Sequence, residues 1–181
     1  MTEDATPLHD WLSLAVDALT PIAVVLIGFL AKRYADRLQQ RRDLASIRTR
    51  WRIEVARELL DELNILYQFF NYNGEWRNID VDRASRAKRT CDRLIATNSF
   101  LWSTAFCQHW EGFKSGAFVE SVGPGRGFLF RANVRRHREK PDFKDEWEAR
   151  FVPSEERITR EEFRKLYQLV VAHLAIDLGI R

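Results

Sequence analysis

The stretch "ALTPIAVVLIGFLAKRYADRLQQRR", residues Ala18 to Arg42, begins without a charged residue and ends dense in arginine. An apolar helix of this kind is buried in a globule, removed as a secretion signal, or threaded across lipid, and the choice decides the fold. A bilayer's hydrocarbon core of roughly 30 Å takes about 20 helical residues to cross. The uncharged run Ala18–Ala31 falls short of that. Extension back to Trp11 reaches it, at the cost of taking Asp17 into the segment, and sets an aromatic ring at the outer boundary as interfacial belts do. A cleaved signal would carry a basic leader and a small-residue cleavage site, whereas this leader is Met1-Thr2-Glu3-Asp4 and the run ends in Lys32-Arg33. The stretch therefore predicts an uncleaved transmembrane helix within residues 1–31. Glu3, Asp4 and Asp10 precede it, and Lys32, Arg33, Arg37, Arg41 and Arg42 follow. That asymmetry predicts an amino terminus outside and the remainder of the chain in the cytoplasm.

Beyond such an anchor about 150 of the 181 residues remain, the size of one domain with its own core. Across the chain 29 Lys and Arg face 26 Asp and Glu, yet the excess is local. From Lys32 to Arg52, eight basic residues (Lys32, Arg33, Arg37, Arg41, Arg42, Arg48, Arg50, Arg52) stand against Asp36 and Asp43. Anionic headgroups stabilise each such residue near a membrane by about 1 kcal/mol, so a lipid bilayer with anionic headgroups is the first partner expected. Cys91 and Cys107 form no C-x-x-C pattern, and neither a disulfide, a metal site nor a cofactor is indicated.

Leu44, Ile47, Trp51, Val55, Leu59, Leu63, Leu66 and Phe70 recur at three- and four-residue steps, with no glycine or proline between Gly28 and Asn73. They predict that the membrane helix continues as a basic, amphipathic stalk over residues 32–72, ending at the Asn73-Gly74 turn. Residues 73–181 then form a compact cytoplasmic helical bundle. Asp80 caps a helix burying Val81, Ala84, Ala87, Cys91, Leu94 and Ile95; a helix from Ser103 presents Phe106, Trp110, Phe113 and Ala117. Phe143, Trp147 and Phe151 repeat at helical spacing. Thr159 and Glu162 make a capping-box pattern for a last helix through Phe163, Leu166, Val170 and Leu174 to Leu178, closed by Gly179. Only "GFLFRANV" offers a short strand. The fold class is all-α.

Two sets of residues carry functional expectations. Asp17, Pro21, Val24, Gly28, Ala31 and Ala35 lie on the seam of a heptad repeat, and most are small. Small residues let helices approach closely in lipid, and a carboxylate at membrane depth faces protein or water, so this line predicts self-association, with a polar lumen as one form of it. Arg126, Arg131, Arg135, Arg136, Arg138 and Lys140 make a second set, a positive patch suited to RNA phosphates, a nucleotide signal or the acidic face of a cytosolic protein. Within it, Arg131 and His137 are separated by five residues. With four histidines and separations of four, five or six residues all allowed, shuffles of this chain would yield about one or two Arg–His pairs of this kind, so the spacing alone is no evidence. "GPGRG" lacks the lysine and strand-to-helix context of a phosphate loop, and no nucleophile-elbow, zincin or Walker pattern appears. Cys107 and His109 fall on different helix faces, and His173 sits among Val170, Val171 and Leu174 as a core or interface histidine.

With its acidic leader, "LTPIAVVLIGFL" running into a basic stalk, the "FFNYNGEW" turn and the closing "FRKLYQLVVAHLAIDLGI", the chain resembles small uncharacterised bacterial single-pass membrane proteins. In size and layout it is also similar to the membrane-anchored HEPN-like accessory proteins of type VI-B CRISPR systems. That second resemblance implies an inner-membrane oligomer acting in phage defence by opening a pore. It also implies, as an alternative, a membrane-tethered ribonuclease in which Arg131 and His137 cut RNA across a dimer interface. A non-catalytic membrane scaffold is the remaining expectation.

Overall fold

The computed structural model describes the backbone of residues 6–120 and 127–180, with side chains from Phe29 onward except Leu30 and Leu44. Helix α1 covers Thr6–Asn71. The chain divides into two units, Met1–Thr49 and Arg50–Arg181. In the first, every described side chain from Ala31 to Thr49 is exposed. Among the described residues no helix is long and apolar enough to cross a membrane. The side chains before Phe29, and with them Asp17, Pro21, Val24 and Gly28 of the small-residue line, lie outside the described residues.

The second unit is built around the end of α1. Val55, Ala56, Leu59, Leu63, Leu66, Phe69 and Phe70 are buried, so residues expected to form part of a stalk are the central helix of the globular part. Their three- and four-residue steps put them on one face, which an apolar core covers. Helix α2, Val81–Thr97, starts where Asp80 accepts from the Arg83 amide, and it buries Val81, Ala84, Ala87, Cys91, Leu94 and Ile95. Arg83 clamps α2 to α1 by donating to both carboxylate oxygens of Glu62, at 2.6 and 3.0 Å. Helix α3, Thr104–Ala117, is capped by Ser103 and buries Phe106, Trp110, Phe113 and Ala117. It packs along α5, Arg160–Asp177, whose capping box joins Thr159 and Glu162 reciprocally. Gly116 permits that approach: a Cβ there would meet Leu166 Cδ1 at 2.3 Å.

Most of the secondary structure is helical, as expected, with a small antiparallel sheet added. Strands β1, Phe118–Val119, and β2, Leu129–Phe130, pair Phe118 with Phe130 and Val119 with Leu129. The strand expected within "GFLFRANV" is therefore β2. Phe130 bridges onward to Phe151 in parallel, and the Ile158 amide donates to the Arg131 carbonyl at 2.9 Å. Residues 143–151 depart from the helical spacing of their aromatics: Asp145–Arg150 is a tight 3-10 turn and Phe151 is extended. Pro141 and Pro153 bracket this segment and disfavour the α conformation at Lys140 and Val152, leaving too few residues for a stable helix. Phenylalanines fill the centre; Phe70 and Phe163 stack with centroids 4.3 Å apart and planes 8° from parallel. Each fully buried aromatic of this kind contributes about 1.5–3 kcal/mol of transfer free energy.

Candidate functional site

The short helix α4, Val134–Arg138, begins where Asn133 Oδ1 accepts from the Arg135 amide. It carries His137 inward, where the residue is 1% exposed. The imidazole stacks on Phe69 at 4.1 Å and meets Phe151, Tyr72 and Trp76 at centroid distances of 5.3, 5.3 and 6.0 Å. Neither ring nitrogen has a hydrogen-bond partner. Burial, with Lys140 nearby, lowers its pKa to about 3, so the ring is neutral at ordinary pH. A histidine that exchanges a proton with a ribose hydroxyl must come within hydrogen-bond reach of it. This ring is enclosed by aromatic carbon, and the geometry does not favour an RNA-cutting role. Arg131 shares no partner with it: the guanidinium donates to the Glu156 carbonyl at 3.3 Å.

The expected basic patch is also redrawn. Arg126 lies outside the described residues. Lys140 is a correction: it is 5% exposed, donates to the Ile79 carbonyl at 2.5 Å and sits 5.1 Å from the Trp76 ring centroid. Burial lowers its pKa to about 8. Arg138 is ion-paired with Glu148, and Arg136 lies 3.6 Å from Glu139. Arg135 stays exposed. Most of the charge that looked like one surface in the sequence is thus engaged locally.

A different set converges around Tyr72, just past the end of α1. Its φ is 56°, the left-handed region, and its amide donates to the Gln68 carbonyl at 2.9 Å, so a tyrosine stands where helices usually place glycine. The conformation costs roughly 1–2 kcal/mol in an L-residue and needs support from elsewhere. Asn133 supplies it: its amide donates to the Tyr72 hydroxyl at 2.9 Å, and that hydroxyl donates to the Asn133 carbonyl at 3.4 Å. Arg157 donates to Asn133 Oδ1 at 3.4 Å, and the Arg160 guanidinium lies 4.8 Å from the Tyr72 ring centroid. Burial raises the Tyr72 hydroxyl above the ordinary tyrosine value, while Asn133, Arg160, Arg136 and Arg157 pull it back. Among the described residues neither Arg157 nor Arg160 is ion-paired to a carboxylate, and Arg157 Nε is buried without a partner.

Tyr72, Asn133, Thr159 and Arg160, with Phe70 and Phe163 behind them, line a cleft of about 170 Å³. Ile158 separates it from a larger one of about 490 Å³ that contains Arg131, Arg157, Lys165 and the carboxylates of Glu155, Glu156 and Glu162. No family model, characterised protein or solved structure matches this chain. Arg157 and Arg160 flank the capping box at Thr159, and only the chain's return from β2 and the 151–158 segment brings them to Tyr72, a contact no sequence spacing encodes. Elsewhere the His109 and His173 rings lie with centroids 3.9 Å apart and planes inclined by 39°, joining α3 to α5, but no group of three or more metal-binding side chains occurs among the described residues.

Proposed function

We propose that this chain is a self-associating protein of the bacterial inner membrane, anchored by a transmembrane helix within residues 1–31 that runs from Trp11 to Ala31, whose cytoplasmic domain receives a ligand or partner. The observation that carries the reading is the exposure of every described side chain from Ala31 to Thr49, Ala35, Leu38 and Ile47 among them. An isolated helix surrounded by water gains little beyond local side-chain pairs, and most helical stability comes from a covered apolar face. Ala31 and Ala35 lie on the heptad line that runs back to Asp17, and Leu38 continues it three residues on. Copies that meet along this line cover it, while Arg37, Arg41 and Arg42 lie beside anionic headgroups.

Cysteine crosslinking in isolated membranes tests this. In a Cys107→Ser background, Ala35→Cys and Leu38→Cys are expected to form disulfide-linked dimers under mild oxidation, whereas Gln40→Cys, on the opposite side of the helix, is not. Equal crosslinking at all three positions, or none, overturns the self-association.

A further inference from the structure

We infer that the exposed side of the α3–α5 pair binds a second copy of this chain. The two copies are related by a twofold axis parallel to the helices, with α5 of each lying on α3 of the other.

The pair presents a row of large side chains beside a row of small ones. On α5, Leu169, Ala172 and Ile176 follow Lys165 at helical steps, and Leu169 and Ile176 are 43% and 65% exposed although both are large and apolar. On α3, Ala105, Gln108, Gly112 and Ser115 keep helical steps too; all but half-exposed Gly112 are exposed, and a Cβ on Gly112 would meet nothing within 4 Å. Leu169 and Ile176 are seven residues apart, and so are Ala105 and Gly112. Two contacts set the register between the helices. His109 meets His173 and Gly116 lies against Leu166, so α3 and α5 run antiparallel, with Leu169 within one residue of the level of Gly112 and Ile176 within one residue of that of Ala105. Each row lies one step around its helix from these contacts, on the same side of the pair. A twofold axis along the helices preserves the levels and sets Leu169 and Ile176 of each copy into the gaps beside Gly112 and Ala105 of the other.

Charge and area identify the occupant. No Asp, Glu, Lys or Arg occurs on α3 from Thr104 to Trp110 or on α5 from Leu166 to Ile176, the depletion that marks the centre of an interface. Exposed Lys165, paired with exposed Glu161 one turn earlier, is level with Ala117, the last residue of α3. In the dimer each Lys165 therefore comes to the carbonyl end of the other copy's α3, where a cation is favoured. At 14 and 18 residues, α3 and α5 are about 21 and 27 Å long and roughly 20 Å wide together, so pairing covers on the order of 500 Å² of each copy. The total, about 1,000 Å², is where specific interfaces begin. An interface of that size is strengthened when its partners are already held together, and for that strength the inference rests on the self-association proposed above.

Disulfide trapping between two full-length chains of different mass tests this. Both carry Cys107→Ser, one with Leu169→Cys and the other, bearing a longer tag, with Gly112→Cys; Cys91 is buried, so a mixed disulfide joins separate copies. Co-expressed and mildly oxidised in whichever cell fraction holds them, the two chains are expected to give a band of summed mass, and Ile176→Cys with Ala105→Cys is a second such pair. Arg164→Cys, which points away from the row on α5, should give none with Gly112→Cys. Ile176→Arg in both chains should reduce the Leu169–Gly112 product at least about tenfold, since it buries an unpaired charge at the interface, while the exposed position leaves the fold and its circular dichroism unchanged. No mixed disulfide at either pair, an equal product with Arg164→Cys, or an unaffected product in the Ile176→Arg chains would overturn the inference. Crosslinking at Ala35→Cys and Leu38→Cys without these products would overturn this face and leave the contact along α1 standing, and the converse result would overturn the α1 contact alone.

Discussion

His137 lies against Phe69 with ring centroids 4.1 Å apart and planes inclined by 26°, and both of its nitrogens are without a hydrogen-bond partner. The residue behaves as a member of the aromatic core that can be charged only at a cost. With a folded-state pKa of about 3 against about 6.5 in an unfolded chain, the folded state binds fewer protons between these values. Stability is complete above pH 6.5 and is lost as pH falls towards 3. Between pH 7 and pH 5 the loss is about 2 kcal/mol. Urea unfolding at the two pH values should show this for wild type, and His137→Phe, which keeps the aromatic packing, should remove most of it. An equal loss in both proteins would refute the assignment.

The contact between α3 and α5 depends on a missing methyl group. Gly116→Ala would drive its Cβ to 2.3 Å from Leu166 Cδ1, and overpacking of that order destabilises by about 1–3 kcal/mol. Thermal unfolding should show a lower midpoint for Gly116→Ala and a partial recovery when Leu166→Ala is added. Independent, additive effects of the two substitutions would argue against this packing.

Cysteine reactivity reports the burial of α2. Cys91 is buried, and burial followed by Glu62 and Asp92 pushes its thiol up. Cys107 is half-buried and its thiol is also raised, by burial, Asp177 and Glu111, but less of it is screened from reagent. Since the thiolate is the reactive species, a maleimide should label Cys107 slowly in the native protein and Cys91 only in denaturant. Native labelling that survives Cys107→Ser would contradict the placement of Cys91.

The hydroxyl of Tyr72 holds a strained residue in place. Tyr72→Phe leaves the Asn133 amide without its acceptor and should destabilise by about 1–2 kcal/mol, read from chemical denaturation. No change would mean that solvent replaces the bond freely and that the left-handed backbone is held by packing alone.

Local signals were legible along the chain. Asp80, Ser103 and the Thr159–Glu162 box start helices where capping chemistry places them, and Gly179, at φ 75°, follows the last helix. The helical stripes from Val55 to Phe70 and along α2 and α3 are buried as their spacing requires, because one apolar face can be covered only by the core. What was not legible depends on contacts between distant segments. His137 and Lys140 read as members of a solvated basic stretch, yet α4 turns them against Phe69 and Trp76, residues of the α1 end and the following turn. The aromatics of residues 143–151 have helical spacing, but between the bracketing prolines the chain makes only a 3-10 turn over Asp145–Arg150 and then extends at Phe151, which bridges to Phe130. Arg157 and Arg160 are unremarkable beside a capping box; their meaning appears only when Tyr72, more than eighty residues earlier, packs beside them.

The proposed function depends on the segment from Trp11 to Ala31 crossing a lipid bilayer. Alkaline carbonate washing of membranes from cells expressing the 181-residue chain tests it most directly, since this treatment strips peripheral proteins and leaves spanning ones. A spanning chain stays in the pellet and is released only by detergent. Recovery in the carbonate supernatant, or in the soluble fraction before any wash, would contradict it.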